Sequence, residues 1–221
     1  MTVADRRAAD GKASAHLLQA LVGTAAFCAL SLLSFALPLA LSLMVLTGIA
    51  LPLIWGWMTG TWKFMGFTRR NLGAAVRWAL AAGAATGQIG LVVVPERSVP
   101  PDLGLELAVA VPIWLLLASP FQEFFFRGWL QPRFEDRFGR WPGLFLATAA
   151  FTAWHYCWPL ASQSSFPLYT LRGLVATFAA GLIYGYSFQR TGSIVAPWLA
   201  HALSGIMFVV MGAGSFVGQV P

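Results

Sequence analysis

Charge is scarce in this chain, and that scarcity excludes a water-soluble globular protein. Of its 221 residues, 58% are hydrophobic and only 10% carry charge. A soluble domain carries about 25% charged residues, which cover its water-facing surface. The sequence therefore predicts an all-α polytopic membrane protein. At about 20 residues per span, it has room for seven or eight transmembrane helices in one bundle.

Several motifs that mark common kinds of site are also missing. The two cysteines, Cys28 and Cys157, lie in apolar stretches and form neither a CxxC pair nor a metal-binding spacing, so we interpret them as ordinary core or lipid-facing thiols. HExxH is absent, which leaves a zincin-type metalloprotease unsupported. GxSxG is absent as well, so nothing indicates a serine nucleophile elbow.

The net charge of +6 is explained by a membrane topology and indicates no nucleic-acid partner, because the basic residues collect between the apolar runs. With a cytoplasmic N-terminus, the positive-inside rule is satisfied, and only Arg97 and Arg172 lie outside. The alanine-rich composition, with arginine favoured over lysine, is typical of a GC-rich bacterium, so we expect the bacterial inner membrane. The basic residues then inside are Arg6, Arg7, Lys12, Lys63, Arg69, Arg70, Arg133, Arg137, Arg140 and Arg190.

The apolar runs predict a short cytoplasmic tail, residues 1–14, followed by a single transmembrane domain, residues 15–221. Polar connections are expected at 95–102 and 159–167. Two small-xxx-small patterns, Gly83-xxx-Gly87 and Gly181-xxx-Gly185, predict closely packed helices. The predicted spans cover about 16–37, 38–58, 72–94, 103–137, 141–158, 168–189 and 193–213.

Three short polar clusters lie in or beside these apolar stretches. An ionised group at membrane depth costs about 2.5–3.5 kcal/mol on insertion scales, so each cluster is a candidate for function. Glu123 and Arg127 are four residues apart and can pair on one helix face, where the cation favours an ionised Glu123. We expect a site in the cytoplasmic half of the membrane. The clusters are Gln122-Glu123-Phe-Phe-Phe-Arg127, Phe151-Thr-Ala-Trp-His155 and His201-Ala-Leu-Ser-Gly205.

Two chemistries are open to these side chains. Glu123, His155 and His201, on three helices, can ligate zinc or another divalent metal and leave a position for water. Without metal, a carboxylate and a histidine can polarise water while a second histidine stabilises an oxyanion. Either chemistry hydrolyses an amide at the membrane. Taken singly, the same residues fit structural roles, with Arg127 and Glu123 as a clamp and the histidines as packing residues.

The three clusters also carry a family resemblance. The stretch from Pro120 to Pro132 resembles the EExxxR motif of the CPBP intramembrane proteases, the group of the type II CAAX prenyl endoproteases and bacterial Abi-type proteins. Phe151-xxx-His155 matches its FxxxH motif, and the stretch from Gly181 to His201 is similar to the approach to its HxxxN motif. The resemblance covers about residues 110–210.

The resemblance implies a helical bundle that cleaves peptide bonds near the membrane. In the family pattern, the first Glu and the FxxxH histidine activate water, and the last motif's His and Asn stabilise the oxyanion. The corresponding positions here are Gln122, His155, His201 and Gly205, while Glu123 and Arg127 match the second Glu and the Arg. Gln122 and Gly205 depart from the pattern, since an amide is no general base and glycine has no side chain to donate a hydrogen bond.

Four explanations of these departures stay open. Glu123 has taken over as the base, the chain is a non-proteolytic relative, position 122 is an engineered Glu→Gln trap, or the chain belongs to a variant subset such as the myxosortase-like processors of C-terminal sorting tails. A change at position 122 alone leaves Gly205 unexplained.

The favoured prediction is an intramembrane endopeptidase acting on membrane-anchored or lipidated proteins or on C-terminal tails. Glu123 and His155 would activate water, His201 would stabilise the oxyanion or share a metal, and Arg127 would hold Glu123. The alternative is a catalytically silent scaffold, immunity factor or partner-binding protein. A transporter is less favoured because the chain has no convincing internal repeat.

Overall fold

The computed structural model describes residues 3–34, 36–93, 98–157 and 171–212. These residues form seven successive helices and no strand, which confirms the predicted all-α class. The helices are α1 (Val3–Leu33), α2 (Pro38–Thr59), α3 (Leu72–Val93), α4 (Leu103–Phe138), α5 (Arg140–Tyr156), α6 (Leu171–Thr191) and α7 (Val195–Val210).

The helix bounds lie within a few residues of the predicted spans, with one clear difference at the N-terminus. There, α1 begins at Val3, so most of the predicted tail at 1–14 is helical. The candidate membrane span within α1 is the narrower segment Ala13–Leu33. The predicted loop at 159–167 and the short C-terminal tail beyond residue 212 lie outside the described residues.

Four described helices are long and apolar enough to cross a membrane, and they are α1, α2, α3 and α4. α7 is a shorter apolar helix. These findings are consistent with a helical membrane bundle. The passage of α5, α6 and α7 across the bilayer, and the cytoplasmic N-terminus, stay predictions.

The long helix α4 changes its winding twice. π-helical turns at Trp114–Ala118 and Phe124–Leu130 flank a short α-helical segment, Ser119–Glu123. The sequence predicts a break or kink at Ser119-Pro120; the helix is unbroken there, and its winding changes directly before Ser119. Pro120 and Pro132 are each the second residue of the segment that follows a π turn, where the altered ladder accommodates a residue without a backbone N–H. π turns are rare in proteins, and those that occur often lie at functional sites.

The two small-xxx-small patterns lie at helix contacts, as predicted. A Cβ atom built on Gly83 of α3 would lie 2.9 Å from the Leu203 side chain of α7. One built on Gly181 of α6 would lie 2.9 Å from the Thr148 side chain of α5. The small residues therefore bring α3 onto α7 and α6 onto α5, which closes the bundle around the polar clusters.

Candidate active site

Glu123 lies at the centre of the polar clusters. It ends the short α-helical segment between the π turns of α4 and is fully buried. Its Oε1 accepts a hydrogen bond of 2.7 Å from Nδ1 of His201 on α7 and one of 3.2 Å from Nη1 of Arg127. One carboxylate oxygen thus joins the first and third motifs across 78 residues of sequence.

Arg127 makes two further contacts besides its hydrogen bond to Glu123. Its Nη2 donates to the carbonyl oxygen of Gly181 at 3.1 Å, and its guanidinium lies 4.0 Å above the ring of Phe151. The side chain is 2% exposed, so the ion pair, the carbonyl and the ring together replace its hydration. The i,i+4 ion pair that the spacing predicts is present.

His201 is fixed by contacts on two sides. Its ring stacks on Tyr184 of α6, with centroids 4.8 Å apart and planes 18° apart. The Tyr184 hydroxyl lies 2.5 Å from Ser204 Oγ, and Ser204 donates to the His201 carbonyl at 2.9 Å. Because Nδ1–H is directed at the Glu123 carboxylate, the neutral ring keeps its lone pair on Nε2.

His155 has the same tautomer for a different reason. Its Nδ1 lies 2.8 Å from the carbonyl oxygen of Phe151. A carbonyl can only accept, so Nδ1 carries the proton and Nε2 of the neutral ring keeps its lone pair. Both histidines have a ring contact with Phe151, at centroid distances of 4.3 Å for His155 and 6.2 Å for His201. The second and third motifs therefore meet.

A cavity of about 530 Å³ opens beside these residues. Gln122, His155, His201 and Tyr184 supply polar groups to its wall, which is otherwise mostly apolar. Glu123 and Arg127 are not among its lining residues. The predicted pocket thus has two layers, with the histidines and Gln122 at the wall and the ion pair behind His201.

The two departures from the family pattern have distinct surroundings. The amide of Gln122 donates from Nε2 to the Ala118 carbonyl at 3.0 Å, and its Oε1 is buried with no hydrogen-bond partner. At Gly205, an added Cβ would overlap the indole ring of Trp114. The place of a side chain at position 205 is therefore filled by a residue of α4.

The expected metal ligands do not converge. Nδ1 of His201 is engaged by Glu123 and Nδ1 of His155 by a backbone carbonyl, so Nε2 is the atom of each ring that could bind a metal. In the part of the chain that the structure describes, no group of three His, Cys, Asp or Glu side chains is arranged to hold a metal ion. A zinc centre is therefore not supported by the described residues and stays a prediction from the sequence, and the mechanism proposed below uses no metal.

Two residues of the site carry no motif signal. Tyr184 lies inside the predicted sixth span, where an isolated tyrosine resembles an ordinary packing residue. Trp114 precedes the first motif and lies far in the sequence from Gly205, which ends the third motif. The absence of a side chain at Gly205 is the one sequence feature that could have prompted a search for a replacement.

Comparison with known proteins gives one match. Residues 104–207 match the family described as type II CAAX prenyl endopeptidase Rce1-like. No curated protein and no solved structure matches the chain. The matched range includes the three motifs, Trp114 and Tyr184, and the match does not identify a myxosortase-like variant. The site-bearing part of this chain is therefore similar to the Rce1-like type II CAAX prenyl endopeptidases, a group of the CPBP intramembrane proteases.

Proposed function

We propose that this protein is an intramembrane endopeptidase that hydrolyses peptide bonds of membrane-anchored proteins or their C-terminal tails. The observation that carries the proposal is the 2.7 Å contact between Glu123 and His201 at the wall of the cavity. A buried carboxylate bonded to Nδ1 orients an imidazole and stabilises the imidazolium that forms when Nε2 takes a proton.

In this mechanism His201 is the general base. Its Nε2 takes a proton from a water molecule as the water oxygen attacks the peptide carbonyl carbon. Glu123 does not line the cavity, so it acts through His201, and the hydrogen bond from Arg127 holds it in place. This assignment differs from the sequence-based expectation, in which Glu123 activates water directly and His201 stabilises the oxyanion.

Gln122 and His155 position the water. Both line the cavity, and each offers an acceptor, Oε1 of the amide and Nε2 of the ring. A water that gives one hydrogen to His201 can give its second hydrogen bond to one of these atoms. Orientation of this kind lowers the barrier without requiring Gln122 to take a proton. Gln122 is thus compatible with activity.

The remaining step returns the proton. When the tetrahedral intermediate collapses, the carbon–nitrogen bond breaks and protonated His201 donates its Nε2 proton to the leaving amine. The products are a carboxylic acid and an amine, and His201 is again neutral. Water is the one co-reactant, and the bilayer-embedded cavity limits how much of it reaches the site.

The cavity favours an uncharged substrate segment. None of the described residues that line it is Asp, Glu, Lys or Arg. An ionised side chain entering it would lose its hydration without gaining a partner. An apolar segment, or one carrying a lipid, would instead exchange lipid contacts for contacts with the wall.

Activity of the purified protein in detergent against a library of membrane peptides tests the proposal. We expect wild type to cleave, His201→Ala to lose cleavage, and His155→Ala to lose most of it. The matched control is His16→Ala, since His16 pairs with Asp136 away from the cavity. Cleavage unaffected by His201→Ala would contradict the proposal. Because the mechanism uses no metal, we expect cleavage to survive a chelator.

A second candidate function rests on a specific observation. No carboxylate of the described residues lines the cavity. The residue next to Glu123 that does line it is Gln122, which carries an amide. This arrangement favours a catalytically silent relative that binds membrane partners. On that alternative, wild type cleaves nothing, and His201→Ala costs stability without losing a function.

A further inference from the structure

We infer that the indole N–H of Trp114 is the hydrogen-bond donor that stabilises the oxyanion. This inference rests on the proposed function, and it assigns a catalytic role to a residue outside all three motifs. Trp114 is the first residue of the first π turn of α4 and lines the cavity. Four observations carry the assignment.

The two histidines do not supply this donor in their neutral forms. In each ring Nδ1–H is already directed at an acceptor, Glu123 for His201 and the Phe151 carbonyl for His155. Nε2 of each neutral ring therefore carries a lone pair, which can accept a proton but cannot donate to an oxyanion. Hydrolysis of an amide nonetheless creates negative charge on the carbonyl oxygen, and donors aimed at that charge are usually the largest catalytic contribution.

Most other donors on the wall are engaged, whereas that of Trp114 is not. Its Nε1 is buried and has no hydrogen-bond partner. Of the described buried side-chain atoms without a partner, it is the one donor that belongs to a lining residue. Among the engaged donors, Tyr184 donates to Ser204, and Ser204 donates to the His201 carbonyl. The other engaged donors are Trp154, which donates to Met44 Sδ, Gln122, which donates to the Ala118 carbonyl, and Thr86, which donates to the Ala82 carbonyl.

The position of the indole fits the role. Its ring lies 5.8 Å from that of His201 by centroids and fills the space of a side chain at Gly205, one helical turn after His201. Contact with Gly205 holds one side of the ring. The indole therefore lies beside the base, and its N–H is removed from water.

The energetics favour a role in the transition state. A buried N–H without a partner is destabilising, because it has lost its hydrogen bond to water. A substrate carbonyl oxygen that enters the cavity and displaces the ring slightly would relieve this cost. The developing oxyanion would relieve it further, since charge-assisted hydrogen bonds are about twice as strong as neutral ones. The interaction is thus stronger in the transition state than in the ground state, which is the condition for raising kcat.

The test uses Trp114→Phe, which keeps an aromatic ring and removes the N–H. The matched control is Trp129→Phe, because Nε1 of Trp129 is also buried without a partner but lies outside the cavity wall. We expect Trp114→Phe to lower kcat by about tenfold to a hundredfold, with KM changed by less than about threefold. Trp129→Phe should retain the wild-type kcat. Equal kcat in wild type and Trp114→Phe would overturn the inference and leave the proposed function intact.

A binding measurement separates the inference from the proposed function. The probe is a membrane peptide with a phosphinate in place of one peptide bond, which mimics the tetrahedral oxyanion and is not cleaved. Trp114→Phe should bind it about tenfold or more weakly than wild type, and Trp114→Phe combined with Gly205→Asn should recover part of that affinity. Equal binding by wild type and Trp114→Phe would overturn the inference, and recovery is not required where the Phe ring at position 114 still occupies the space beside Gly205. Wild type that neither cleaves nor binds would also overturn the proposed function.

Discussion

One buried carboxylate joins the functional groups of two helices in this protein. Glu123 accepts hydrogen bonds from Arg127 on its own helix and from His201 on α7, both on the same oxygen. Removing Arg127 changes the charge balance around Glu123, and removing His201 removes the base that Glu123 orients. A single substitution at this carboxylate or its partners is therefore expected to change both stability and activity.

Replacing Arg127 should destabilise the protein. Arg127→Gln leaves the buried Glu123 carboxylate without its cation, and breaking a buried pair costs about 3–5 kcal/mol. Thermal unfolding in detergent measures the effect, with Arg137→Gln as the control because Arg137 is exposed on the same helix. A melting temperature equal to that of the control would show that the pair is not a structural clamp.

The residues of the site were predictable from sequence to different degrees. The i,i+4 spacing of Glu123 and Arg127 predicts that the two side chains pair. The contact of Glu123 with His201 is not readable, because nothing in a sequence says which of two histidines on other helices will reach a given carboxylate. The indole of Trp114 fills the space that a side chain at position 205 would occupy. This packing leaves no pattern in the local sequence.

The elements of the fold follow from apolar runs, whose length is set by the membrane. The predicted third span, 72–94, corresponds to α3 at Leu72–Val93. The π turns of α4 could not be predicted, because an i→i+5 ladder has no residue signature of its own. These turns determine which side chains of α4 face the cavity. The sequence therefore predicts which residues belong to the site, but not which of them line the cavity.

The close contact of α2 with α4 should be sensitive to one methyl group. A Cβ on Gly48 of α2 would overlap the backbone carbonyl oxygen of Phe121, next to Gln122 in the site. Because backbone cannot rotate away as a side chain can, we expect Gly48→Ala to lower the melting temperature clearly. Gly104→Ala is the control, since a Cβ there meets nothing within 4 Å. Equal melting temperatures would show that the two helices separate at little cost.

At the scale of the whole molecule, the distribution of basic residues predicts the orientation in the membrane. With the N-terminus in the cytoplasm, Arg69 lies inside and Arg172 outside, and both side chains are exposed. Membrane-impermeant thiol labelling of Arg69→Cys and Arg172→Cys proteins, with Cys28 and Cys157 replaced by alanine, measures this. We expect Arg172→Cys to react in intact cells stripped of their outer envelope and Arg69→Cys only in inverted vesicles. The reverse pattern would contradict the predicted topology.

Cleavage by four proteins tests the central claim most directly. Wild type, Glu123→Gln, Glu135→Gln and Gln122→Glu are compared on the same membrane-peptide library. Glu135 is the matched control because this half-buried carboxylate of α4 bonds to Gln131 and Gln189 away from the cavity. The account predicts cleavage by wild type and Glu135→Gln and its loss in Glu123→Gln. Cleavage by Gln122→Glu alone would contradict it and identify the natural chain as a silent relative.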